Sequence, residues 1–123
     1  MRGGELTFQL ELHRTRQWIV LPITLANNTE LALVLDTGSA ISAISPTIAI
    51  DLLALGHLEP TGANRYPLKG LTAQGVNFPD LRVAVFPRLA RFGADGLLGL
   101  DFLRLFRRIH FDVDSLQLVL ETR

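Results

Sequence analysis

The chain has 123 residues and a mass of 13.6 kDa, the size of one domain, and is 48% hydrophobic against 20% charged. That balance excludes a disordered tail and is enough for a buried core. Twelve Lys and Arg offset twelve Asp and Glu, so net charge favours neither a nucleic-acid partner nor a membrane surface, and the absence of cysteine excludes disulfides, thiolate catalysis and thiolate metal sites.

The N-terminus lacks the apolar run of a secretory signal, and no apolar run approaches the ~18 residues of a membrane span, so a soluble, cytoplasmic protein is expected. Leu6, Phe8, Leu10 and Leu12 alternate with Thr7, Gln9, Glu11 and His13, the pattern of a strand with one buried face. A second strand is expected over 18–25, with Pro22 marking an edge or a bulge. Asn27-Asn28-Thr29 is turn chemistry and leads into a third strand, 31–35, apolar on both faces as in the middle of a core.

Residues 40–44 read as a further strand. Ser45 and Pro46 then cap and start a helix whose apolar face is Ile48, Leu52 and Leu55, and Gly56 stops it. Residues 57–75, with Pro60, Gly62, Pro67, Gly70 and Gly75, read as an exposed hairpin or loop. A strand over 80–86 follows, then the short apolar run Gly96-Leu97-Leu98-Gly99 and a short helix over 101–106. A closing hairpin of 109–113 and 116–120 turns at Asp114-Ser115. Many short strands with little helix predict an all-β barrel or sandwich-like domain over 1–123.

Asp36 is the acid in an otherwise apolar run, Val34-Leu35-Asp36-Thr37-Gly38. A lone buried carboxylate is costly unless it is hydrogen-bonded or neutralised. The hydroxyl of Thr37 and the glycine after it let the backbone turn sharply and aim donors back at the acid. Taken alone, the triplet fits a capped turn at a strand end equally well. The wider order is more specific: an apolar strand, Asp36-Thr37-Gly38-Ser39, a short strand, a glycine-bearing hairpin, then Leu98-Gly99 before a helix. This order resembles the retropepsin-like aspartic peptidases from about Trp18 to Leu120. VLDTGSAISAIS resembles their catalytic strand and loop, and GADGLLGLDFL their later apolar-apolar-Gly segment.

The resemblance implies an acid-protease barrel with one or two short helices, equivalent to one half of a pepsin-like bilobal enzyme. Aspartic peptidases hold a water between two carboxylates that share one proton. This chain has one such motif, and Asp95-Gly96, Asp112-Val113 and Asp114-Ser115 do not supply a second, so a homodimer with a two-fold axis is expected. Asp36 is then the catalytic carboxylate, Thr37 ties the two loops together across the dimer, and Gly38 offers its N–H to the acid. The Ser39 hydroxyl is expected to donate to the outer oxygen of Asp36 and to set the position of an acid-side activity optimum. Gly70, Leu71, Thr72 and Gly75 are implied as the flap over the substrate. Leu98 and Gly99 brace the loop, and Asp101 ties the subunits or the site floor. The substrate is an extended peptide or protein lying in the cleft as an added strand, and no cofactor or metal is implied. The competing reading is a non-catalytic dimeric peptide-binding or assembly module with the same fold.

Other groups carry less. His13, His57 and His110 lack metal-ligand spacing and read as surface residues. Arg88, Arg91, Arg104, Arg107 and Arg108 form a local basic bias that reads as a solvated face. Gly93, Gly96 and Gly99 do not match a phosphate-binding fingerprint, and Ser39, Ser42 and Ser45 have no histidine partner for nucleophilic catalysis.

Overall fold

The computed structural model describes residues 4–13, 18–26, 28–55 and 65–123. Its strands are β1 (Glu5–Gln9), β2 (Glu11–Leu12), β3 (Ile19–Thr24), β4 (Glu30–Leu35), β5 (Ala43–Ile44), β6 (Arg65–Leu68), β7 (Thr72–Ala73), β8 (Val76–Asn77), β9 (Leu81–Val85), β10 (Gly96–Leu98), β11 (Phe106–Asp112) and β12 (Gln117–Thr122). The helices are α1 (Pro46–Ala54), α2 (Leu89–Phe92) and α3 (Leu100–Leu103). A three-stranded sheet has the order β1-β12-β11, and a larger one the order β6-β9-β5-β10-β4-β3-β7-β8, with β2 also paired to β3.

The N-terminal alternation continues through Leu10, but the strand changes partners there. β1 lies antiparallel to β12 with Phe8 facing Leu118, whereas β2 lies against β3 with Glu11 facing Val20. Leu10 is buried between the two, its N–H donating to the Leu116 carbonyl at 2.7 Å. Leu12, expected on the buried face, is 51% exposed, because the short β2 has left the sheet that covers Phe8.

β3 and β4 form the expected hairpin, in register from Val20–Val34 to Thr24–Glu30. Asn28 makes the turn at φ 69°, a left-handed conformation that Asn tolerates; Asn27 lies outside the described residues. On its other edge β3 meets β2 at Ile19 and Val20 and β7 at Thr24. Pro22 falls between them, where a residue without an N–H cannot donate to a ladder.

β4 and β10 are parallel, as are β5 and β9, while β10 is antiparallel to β5. Of the strand expected over 40–44, only β5 is regular. Ser45 caps α1 by accepting the Ile48 N–H at 3.2 Å, and Pro46 sits in its first turn. Ala49 and Leu52 face the core, but Leu55 is exposed, since the helix lies on the surface with its last turn projecting beyond the core. Gly56 and the part of the expected loop at 57–64, His57 included, lie outside the described residues. The rest of that stretch is β6 and the β7–β8 hairpin rather than loop.

α2 has no counterpart among the elements expected from the pattern; it ends at Gly93, whose φ of 69° is a left-handed stop. α3 is shorter than its expected span, and Phe106 already belongs to β11. Phe78 joins the two sheets, packing against Phe8, Phe102 and Phe106 with ring centroids 5.4 to 6.2 Å apart. Leu21, Ile23, Leu33 and Leu98 complete the surrounding core. Among the described residues no helix is long and apolar enough to cross a membrane.

Candidate active site

β4 runs apolar to Leu35, which lies beside Leu98 of β10, so Asp36 emerges at the end of two parallel strands. Its N–H continues the ladder by donating to the Leu98 carbonyl at 2.9 Å. The chain then bends back on the acid. Gly38 N–H donates to Asp36 Oδ1 at 2.9 Å, and Ser39 N–H donates to the Asp36 carbonyl at 3.2 Å. A Cβ at position 38 would stand 3.2 Å from Asp36 Oδ1, so a side chain there would crowd the carboxylate. Asp36 is half-buried, while Thr37 and Gly38 are exposed.

The Ser39 hydroxyl does not reach the carboxylate. It donates to the Ile41 carbonyl at 2.7 Å, which corrects the expectation that it bonds the outer oxygen of Asp36. The backbone dictates this: Ser39 N–H is held by Asp36 and its carbonyl accepts from Leu100 N–H at 2.8 Å. With both main-chain groups fixed, the side chain is aimed along the loop.

The loop 36–42 is stitched to the segment that follows β10. Asp101 N–H donates to the Ala40 carbonyl at 3.2 Å, and Gly99 N–H donates to Ser42 Oγ at 3.0 Å. A Cβ on Gly99 would lie 2.6 Å from the Ile41 oxygen and 2.7 Å from that of Ser39, so only glycine lets the two segments cross. Leu98, beside it, is fully buried.

The Asp101 carboxylate sits beneath this crossing. Its Oδ1 accepts the Ser42 hydroxyl at 2.6 Å and Phe102 N–H at 2.8 Å. Its Oδ2 accepts Ser42 N–H at 3.0 Å and the Arg65 guanidinium at 2.9 Å. Arg65 also donates to the Arg82 carbonyl at 2.8 Å, which ties β6 and β9 to the same carboxylate. Sequence reasoning singles out Asp101 as a tie but misses Ser42 and Arg65. A serine six residues after the acid, within an apolar stretch, is the available signal.

Two apolar cavities flank Asp36. One, of about 340 Å³, is lined by Trp18, Val34, Leu35, Leu89, Ala94 and Leu97 together with Asp36. The other, of about 500 Å³, is lined by Ser39, Phe86, Pro87, Arg88, Leu89 and Leu97, again with Asp36. Leu89 and Leu97 belong to both, and Asp36 is the acid in each. Val34, expected inside the core, therefore faces a cavity. α2 matters here because it delivers Leu89.

Gly70, Leu71, Thr72 and Gly75 line neither cavity. Leu71 and Ala73 are buried in the core, and Thr72 lies beside Thr24 of β3. The Gln74-Gly75 turn is pinned to β1, with Gln9 N–H donating to Gln74 Oε1 at 2.8 Å and Gln74 Nε2 donating to the Gln9 carbonyl at 2.9 Å. This placement departs from the expectation of a flap, because burial of Leu71 and Ala73 holds the hairpin in the body of the molecule.

No protein-family model and no curated protein matches the sequence. Among solved structures, the chain is similar to a retropepsin-like aspartic protease from Rickettsia conorii, with a TM-score of 0.61 and 21% identity over 97% of this chain and 90% of that one. It is also similar to the retroviral protease-like domain of Ddi1 from Leishmania major, with a TM-score of 0.56 and 16% identity over 82% of this chain and 88% of that one. An acid at the end of parallel strands, crossed by an apolar-apolar-Gly segment and set in an overall path shared with both neighbours, gives this chain the retropepsin-like fold.

Proposed function

We propose that the chain is an aspartic endopeptidase that works as a homodimer on an extended peptide or protein. The observation that carries this reading is Asp36 itself, tethered by the Gly38 N–H and set between two apolar cavities that can take side chains on either side of a scissile bond. One carboxylate is half of the chemistry, so a second copy supplies the other.

In the dimer one Asp36 is ionised and the other carries a proton. The ionised carboxylate takes a proton from a water held between them as that water's oxygen bonds to the carbonyl carbon. The protonated carboxylate gives its proton to the carbonyl oxygen. The tetrahedral diol then collapses: the carbonyl re-forms, the C–N bond breaks, and the amine nitrogen leaves with a proton. Thr37, exposed beside Asp36, is the residue through which the two loops meet, and Leu98 and Gly99 brace them from beneath. The reading needs no cofactor or metal, and it gives the 70–75 hairpin no covering role.

Cleavage of a peptide library across pH, by wild type and Asp36→Asn, tests it. The near-isosteric variant is expected to lose at least about a hundredfold in turnover while its circular dichroism is unchanged. Full turnover in Asp36→Asn overturns the mechanism, and peptide binding without turnover by the wild type favours the non-catalytic module.

A further inference from the structure

Arg88 sets the two cavities beside Asp36 apart. Among the residues lining the cavity of about 340 Å³, Asp36 alone carries a charge. The cavity of about 500 Å³ has Asp36 and, in addition, the exposed Arg88. Arg91, Arg104, Arg107 and Arg108 line neither, so Arg88 stands apart from the basic group that reads as a solvated face. The turn that carries it is fixed on both sides. Phe86 N–H donates to the Ile44 carbonyl at 3.0 Å, and Leu89 N–H donates to the Phe86 carbonyl at 3.1 Å. Leu89 is buried with Ala43 and Ala84, and Pro87 restricts the backbone directly before Arg88. The Arg88 carbonyl accepts the Arg91 N–H at 3.1 Å, which closes the first turn of α2.

The Arg88 guanidinium forms no hydrogen bond or ion pair with another described residue. The proposed mechanism keeps one negative charge on the Asp36 pair, so an acidic side chain entering a cavity that holds no cation is repelled. Arg88 offsets that repulsion in the larger cavity and not in the smaller. We infer that Arg88 is a specificity-determining residue, which draws an acidic side chain of the substrate, Glu or Asp, to the mouth of the larger cavity while the smaller takes an apolar one. The guanidinium fork suits this role, because it can meet a carboxylate with two parallel hydrogen bonds. The two-fold axis of the proposed dimer repeats the arrangement, so an acidic residue is favoured on either side of the scissile bond.

Turnover in this scheme rests on the peptidase reading above, but recognition by Arg88 can be tested without it. A randomised peptide library cleaved by the wild type gives one preferred sequence, and the same library selected for binding to Asp36→Asn gives another that does not depend on turnover. Both are expected to be enriched in Glu or Asp at a position close to a large apolar residue. In peptides differing only at that position, Glu is expected to exceed Gln about threefold and Lys about tenfold in kcat/KM, the scale of an exposed ion pair with like-charge repulsion added. Arg88→Gln is expected to bring the three within about twofold, and Arg88→Glu to reverse their order. Arg91→Gln, one turn further on and outside both cavities, keeps the wild-type order. Added salt shrinks the wild-type preference, because the guanidinium is exposed. An acidic enrichment missing from both screens, or one that survives Arg88→Gln, overturns the role of Arg88 and leaves the peptidase reading to the Asp36→Asn test. An acidic preference in binding that Arg88→Gln abolishes, with no cleavage by the wild type, supports Arg88 and overturns the peptidase reading. A chain that neither cleaves nor binds any peptide overturns both.

Discussion

Ser42 Oγ stands 2.6 Å from Asp101 Oδ1 and accepts the Gly99 N–H at 3.0 Å, so one buried hydroxyl fastens the loop that carries Asp36 to the segment crossing beneath it. Ser42→Ala strands the buried Gly99 N–H and leaves Asp101 Oδ1 with the Phe102 N–H as its partner. We expect it to lower stability by about 1–3 kcal/mol, seen as a lower urea midpoint with an unchanged slope. Asp101→Asn, which keeps the shape but loses the charge facing the part-exposed Arg65, should cost less.

Ser39→Ala should leave the pH–rate profile where it is. The hydroxyl donates to the Ile41 carbonyl and not to Asp36, so its loss removes one loop hydrogen bond, about 0.5–1.5 kcal/mol of stability. A profile whose limbs both move toward higher pH in the variant would show that Ser39 reaches the carboxylate during turnover.

Gly99→Ala should not fold to the native state. The added carbon would fall 2.6 Å from one backbone oxygen and 2.7 Å from another, and neither can retreat without breaking the crossing. The loss of cooperative thermal unfolding is the measurement, with Gly75→Ala as a milder comparison, because nothing lies within 4 Å of a Cβ there and the cost is confined to its φ of +85°.

Leu89 lines both cavities beside Asp36, so under the proposed function it helps to set the substrate class. Leu89→Ala is expected to reduce kcat/KM for peptides with large apolar residues at the cleavage site by about tenfold or more, and to change it less for peptides with small ones. Equal losses on both peptide sets would mean that Leu89 supports the fold and does not read the substrate.

Acid should weaken the β11–β12 hairpin through Glu121. Its carboxyl is held below its ordinary 4.5, first by His110 and then by Arg107. Because folding lowers this value, the stabilisation is complete above pH 4.5 and is lost as the pH falls through the folded-state value. Asp112, lowered by the Ser115 N–H in the adjoining turn, acts in the same direction. Glu121→Gln should flatten the acid limb of stability against pH, read by chemical denaturation at stepped pH. An unchanged limb would place the acid sensitivity elsewhere.

What could be read directly from the sequence was local. The β3–β4 hairpin follows from Asn28, the start of α1 from Ser45 and Pro46, and the closing hairpin from Asp114-Ser115, because each depends on residues a few positions apart. Asp36 could be picked out for the same reason: an acid at the end of an apolar strand demands donors, and Gly38 two residues later supplies one. The partners of distant segments could not be read in this way. Alternation in 6–12 describes one buried face but does not say that β1 will join β12 while β2 joins β3. Nor does composition distinguish Val34 in a core from Val34 lining a cavity, or Leu71 on a flap from Leu71 in the body. Only the tertiary structure set β10 between β4 and β5, and that one insertion crosses Gly99 under the Asp36 loop and brings Ser42, Arg65 and Asp101 together from positions far apart in the chain. The chemistry of the acid is written in its neighbours along the chain; its support depends on strand pairing between segments that periodicity alone leaves free to choose their partners.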